Sequence, residues 1–373
     1  MSSPALPPAA EILHSIRSTS EALRVRSGIE INDSAIDAFL SKLEQEEWES
    51  HTGAEQHGIR LPLRFDSPEE ELNILSTIGL LNFLSGYRTA LHRLTTRGAF
   101  STILSLVLSS HLAADPLLTP LSTKGLLAST PASLASLAQI QTHQEEDHPT
   151  MGAAVRVGVK DEEAWEMLEL LAGVCTETGE VLQRMGKANL GEWVKEKLVE
   201  TEGEPGKMIE EFISTFPAFR DAYTIDGEPV YLFKKALWLL ATIKHTFTTA
   251  SPAPSFPLPS LSNFPIFADN VLPTLLIHLS ILSTTSSTDP SLQPTSLTST
   301  PLLSTDSATR LRAAAVSACA RITQRAKEPS VEEGKEWLRG VTEEQLDGYL
   351  WSLAKKGELR EVVRVGERGT VMY

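Results

Sequence analysis

An aspartate set among apolar residues is the part of this chain best placed to do chemistry. Within residues 264–282, FPIFADNVLPTLLIHLSIL, Asp269 follows Phe264, Ile266 and Phe267 and precedes Val271 and Leu272. A carboxylate in such surroundings loses hydration and is tolerated only with hydrogen-bond partners or a nearby cation. Asn270, its neighbour, can brace it. The same residues have a plainer reading, in which Asp269 caps a helix that Val271, Leu272 and Pro273 begin, with proline in the first turn. The two are compatible, because a capping carboxylate can also face a pocket.

Three further segments carry candidate groups. In LDGYLWSL, residues 346–353, Asp347 and Trp351 stand one turn apart on one helix face, where an acid beside an aromatic plane can hold a flat heterocycle with donor groups. A core tryptophan beside a solvated acid is the alternative. In YLFKKALWLLATIKH, residues 231–245, Lys234 and Lys235 come at the start of a helix, the end at which cations are disfavoured. Something anionic is therefore expected nearby, either a protein carboxylate or a substrate phosphate. In LLNFLSGYRTALHRLTTRGAF, residues 80–100, the polar Asn82 leads into a break at Ser85-Gly86. The helix start that follows can hold an anion. Tyr87 offers a stacking face, and Arg88, His92, Arg93 and Arg97 form a basic cluster. A helix corner with solvated charges explains the same residues.

The elements that must position these groups are mostly helical. Apolar residues three and four apart predict helices over 18–26, 35–43, 72–83, 99–112, 162–185, 190–199, 208–215, 232–246, 271–282, 308–327 and 343–355. Asn32 and Ser67 supply caps, the latter followed by Pro68 and three glutamates suited to a first turn. Strand signals are few, and the best, 360–365 and 370–373, predict one small C-terminal hairpin around 366–369. Residues 144–147 read as an acidic loop, 250–265 as a proline-broken connection, and 283–307, almost all Ser, Thr and Pro, as a disordered insert. The expected architecture is mainly α: a single domain over 1–373 with low-complexity inserts.

Composition narrows the function classes. The net charge of −15 opposes a role in coating DNA or RNA, while leaving room for a single nucleotide in a locally basic pocket. Two cysteines, Cys175 and Cys319, are too few for a disulfide framework or a cysteine-rich zinc site. GxGxxG, P-loop, GxSxG and HExxH patterns are all missing. No apolar run reaches the ~18 to 20 residues of a membrane span, and the first residues lack the apolar core of a secretory signal. A soluble, reduced, cytoplasmic protein is expected, with no membrane partner.

Read in order, the segments resemble the queuosine salvage family, the queuosine 5′-phosphate N-glycosylase/hydrolases, in its fungal branch. The resemblance rests on LLNFLSGYR (80–88), LHRLTTRGA after it, FRDA (219–222), YLFKKALWLL (231–240), FPIFADNVLP (264–273), LRAAAVSACA (311–320) and LDGYLWSLAK (346–355). It spans nearly the whole chain. It implies a fold related to helical DNA glycosylases, hydrolysis of the N-glycosidic bond of queuosine 5′-monophosphate to free queuine, and no metal or organic cofactor. Asp269 matches the family's FAD aspartate, cast as the catalytic carboxylate. Asp347 matches the LD-x-x-LW aspartate, expected to help hold substrate. Where many members read FADYR this chain has Asn270 and Val271; Leu237 replaces a usual Gln, and Ala320 a late acid.

On this reading Asp269 supports positive charge at C1′, while Phe267, Tyr87 or Trp351 stacks the base, with Asn270 and Asn82 among the polar contacts. Lys234 or Lys235, then Arg88 or His92, meets the 5′-phosphate. The expected partner is the mononucleotide, with no stable nucleic-acid complex and a monomeric protein. Two other classes fit parts of the pattern: a non-catalytic helical scaffold, and a nucleoside-binding protein without turnover. Only the enzyme requires Asp269 and Asp347 to lie together.

Overall fold

A computed structural model describes residues 4–52, 61, 63–299, 302–328 and 334–373. Among these it contains 17 α-helices and three two-stranded antiparallel sheets. By internal contacts the chain groups into two compact units, one from residues 1–68 and 195–367 and the other from 69–194 and 368–371.

The first unit is built around Thr305–Arg325, whose sequence is polar by count yet buried on nearly every side. Its alanines, Ala313 to Ala315 and Ala318, are small enough for neighbours to approach its axis closely. Ile12–Arg26 packs along it through Ile12, Ile16, Ser20 and Leu23, a stripe at helical period. Val271–His278 and Glu343–Leu353 also pack on this helix and on each other. Ala222–Ile225 and Glu228–Tyr231 form a hairpin across Asp226-Gly227, both left-handed, which is the turn chemistry an Asp-Gly pair favours. Its Ile225 and Val230 join Leu23 and Ala313 in one apolar cluster.

The second unit is laid over Glu162–Arg184, a 23-residue helix capped by Asp161. Thr123–Leu127 and Pro131–Ala138 pack on it. Gly125 is required there: a Cβ would stand 1.8 Å from the Thr119 carbonyl oxygen. Pro68–Leu81 carries the three first-turn glutamates and is buried almost all round beyond them.

Three local expectations are corrected. The C-terminal hairpin does not form; Gly357–Glu361 is a helical turn, and Gly366 makes a lone parallel bridge to Leu302. The Val365 carbonyl and amide are instead taken by the side chains of Asn270 and Thr274, so β-branched residues sit there without a strand partner. The acidic loop at 144–147 lies within the strand His143–His148, paired with Gly152–Lys160, with Arg156 facing Glu145 and Asp147 across the ladder. Within 283–307, residues 300 and 301 lie outside the described residues. The rest carries structure: Leu282–Ser283 pairs with Glu30–Ile31, Asp289 caps Pro290–Leu292, Pro294–Ser299 is helical, and Ser304 caps the central helix. Ser, Thr and Asp serve as caps and turn acceptors here, Ser307 donating to Asp289 at 2.6 Å, while Leu292 is fully buried.

Candidate active site

Asp269 acts as a cap. Its Oδ1 accepts from the Val271 amide at 2.7 Å and the Leu272 amide at 3.4 Å, ahead of Val271–His278. Free amides at a helix start suit negative charge. The side chain is half-buried rather than dry. Its charge acts on two other groups of the first unit, Lys234 and Asp347.

Lys234 opens Lys234–Thr248 and is only 6% exposed. Burial pulls its ammonium pKa down to about 8, against the opposing charges of Asp269, Asp347 and Asp221. Asp347 lies mid-way along Glu343–Leu353, where Oδ1 accepts from the Phe267 amide at 2.9 Å. Desolvation drives its carboxyl well above the ordinary range, and the negative charges of Asp269 and Glu344 push the same way. The residue keeps partial exposure all the same. One carboxylate held by amides beside another pushed toward its neutral acid is the pattern that separates charge stabiliser from proton donor. Glu344, one position away and buried, holds His245 of the Lys234 helix at 2.8 Å, tying the two elements together.

Behind this cluster lies an ion pair between Asp221 of FRDA and Arg312 of LRAAAVSACA, residues assigned no role from sequence. Asp221 and Arg312, each 1% exposed, are joined at 2.6 and 3.0 Å. The third edge of the guanidinium, Nε, donates to the Ala268 carbonyl at 2.8 Å, one residue before Asp269. Asp221 in turn accepts from the Lys234 amide at 3.2 Å and, through its backbone oxygen, from Leu232 and Phe233. Phe233 is left-handed, φ 50°, an uncommon state for a bulky side chain.

The other expected residues divide by location. Asn270 is buried, its Nδ2 holding the Val365 carbonyl at 2.8 Å while Oδ1 has no hydrogen-bond partner among the described residues. Phe267 packs edge-on to Phe264 and presents its amide, not an open ring face, to Asp347. The Trp351 ring is covered by the Lys355 ammonium, 3.0 Å from its centroid. Lys235 is buried with its ammonium 5.4 Å from the Phe219 ring. Asn82, Tyr87, Arg88, His92, Arg93 and Arg97 belong to the second unit. There Tyr87, 1% exposed, accepts from the Gly369 amide and lies under Arg368, so its ring offers no open face. Arg93 is paired with Asp161 and Glu163, and Arg97 with the Ala138 carbonyl and Ser105. The expected basic cluster is thus partly spent on internal partners.

A cavity of about 420 Å³ occurs in the first unit, lined by residues including Trp48, Glu49, Trp337 and Gln345; none of the carboxylate-cluster residues lines it. Among the described residues no group of His, Cys, Asp and Glu is arranged to hold a metal ion, and no helix is long and apolar enough to cross a membrane.

The family model of the queuosine salvage protein matches residues 135–371, well over half of the chain. The chain belongs to the queuosine salvage protein family. A comparison with curated proteins gives no match. Membership assigns a role in queuosine salvage, with a small-molecule substrate. The matched span holds Asp221, Lys234, Asp269, Arg312 and Asp347 together, the whole of the cluster described above.

Proposed function

We propose that this queuosine salvage protein hydrolyses the N-glycosidic bond of queuosine 5′-monophosphate, releasing queuine and ribose 5-phosphate. The observation that carries the reading is the grouping of Asp269, Asp347 and Lys234, two carboxyls and a cation brought from distant parts of the sequence. Breaking the bond builds positive charge at C1′ and negative charge on the departing base. Asp269, anchored through one oxygen by two amides, supports the cationic ribose and accepts a proton from the attacking water. Asp347, kept in its acid form, gives its proton to the base as the C1′–N bond breaks. Water's oxygen ends on C1′, its proton on Asp269, and proton exchange with solvent restores both carboxyls.

Lys234 balances the charge of Asp269 in the resting protein and is the cation facing the anionic end of the substrate. The unpaired Oδ1 of Asn270 is an acceptor for a donor on the base. No metal or organic cofactor is needed for this step. The net charge of −15 favours a free mononucleotide over intact tRNA, whose phosphates an acidic protein repels. The decisive experiment is incubation of the purified protein with queuosine 5′-monophosphate and chromatography for queuine. Thermal stabilisation by the nucleotide without free base would instead favour a binding protein, and neither effect a scaffold.

A further inference from the structure

We infer that the buried Asp221–Arg312 pair is the positioning device of the site, fixing the backbone that carries Asp269 and Lys234 without touching substrate itself. Each terminal nitrogen of the Arg312 guanidinium meets Asp221, at 3.0 and 2.6 Å, and its Nε holds the Ala268 carbonyl at 2.8 Å. A planar fork of this kind fixes direction as well as distance, and a lysine cannot reproduce it. Through Ala268 the pair sets the peptide preceding Asp269. Through Asp221 it sets the other reactive segment: Oδ2 accepts from the Lys234 amide, and the backbone oxygen takes the amides of Leu232 and of the left-handed Phe233. The two segments thus share one reference point. Arg312 is carried by a helix buried on nearly every side, so the pair is set within the core of the unit. Its guanidinium also acts electrostatically on Lys234.

This inference rests on the proposed reaction for its kinetic readout but not for its structural one. The variants are R312K, which keeps charge and loses the fork, and D221N, which keeps shape and loses charge. Both are expected to lower kcat for queuine release roughly 10²-fold with KM within about threefold, the signature of misplacement rather than lost binding. They should also shift the alkaline limb of the kcat–pH profile, because Asp347 is held by the Phe267 amide next to Ala268, and loss of global stability alone does not move that limb. Crystal structures of both variants should show the Ala268 carbonyl and the Asp269 carboxylate displaced. Unchanged kcat and pH profile with Asp269 in place would overturn the assignment. If only one variant folds, it alone decides by the same criteria. If the wild type releases no queuine, the reaction fails, and an Asp269 that stays put in the variant structures then overturns the positioning role independently.

Discussion

At the scale of single residues the charge of Asp269 bears on the desolvated carboxyl of Asp347, and the proposed reaction draws on that repulsion. D269N should lower kcat by roughly 10²–10³-fold with little change in KM, since it removes charge stabilisation needed only as the ribose becomes cationic. Asp347 titrates at higher pH than an ordinary surface acid, because desolvation and the charges of Asp269 and Glu344 disfavour its carboxylate. Because its pKa is raised, the proton is present below that value and lost as pH rises through it, so activity should fall on the alkaline side, and D347N should abolish that limb. Lys234, lowered from 10.5 to about 8, is penalised as an ammonium below pH 8 and relieved above it. Stability from this group is therefore present at high pH and lost as pH falls through 10.5 towards 8, an effect of about 3 kcal/mol in all. Urea unfolding at pH 7, 8.5 and 10 should show the wild type gaining on K234Q as pH rises; a constant difference would contradict the penalty. Asp269, Asp347 and Lys234 were legible because each breaks a local rule: an acid amid phenylalanines, an acid one turn from a tryptophan, a cation at the wrong helix end. Asp221 and Arg312 break none. The arginine sits in a helix that tolerates arginine, and its acid lies 91 positions away, so only folding reveals that both are buried.

At the scale of elements, capping decides how firmly the site is held. Glu343–Leu353 begins with a capping box in which Thr342 accepts from the Gln345 amide and Gln345 from the Thr342 amide. T342A should cost about 1 kcal/mol of stability, read as a lower urea midpoint, while kcat changes less than about twofold. Gly125 is less forgiving. With a carbonyl oxygen 1.8 Å from where a Cβ would go, G125A must move backbone, and a loss of at least ~2 kcal/mol in the second unit is expected. Helix periodicity predicted Ala99–His111 and Glu162–Arg184 to within a residue or two. Short hairpins and the Ser/Thr/Pro segment escaped it because their order comes from side-chain acceptors and a single Asp-Gly turn, signals only a few residues long.

At the scale of the whole molecule, charge and chain path set the expectations. An acidic protein acting on a free nucleotide should release queuine from queuosine 5′-monophosphate at least ~10²-fold faster than from intact tRNA at moderate salt; parity would contradict the electrostatic reasoning. The packing of Ile12–Arg26 against Thr305–Arg325 has a consequence of its own. The family model matches from residue 135, yet the helix packed along the central one lies more than a hundred positions earlier. A recombinant fragment trimmed to 135–373 would strip Ile12, Ile16 and Leu23 from their berth, leaving an alanine-lined trough open to water. Such a fragment should precipitate or stay molten, read as dye binding and the loss of a cooperative urea transition, because the central helix would lose the apolar stripe that packs along it.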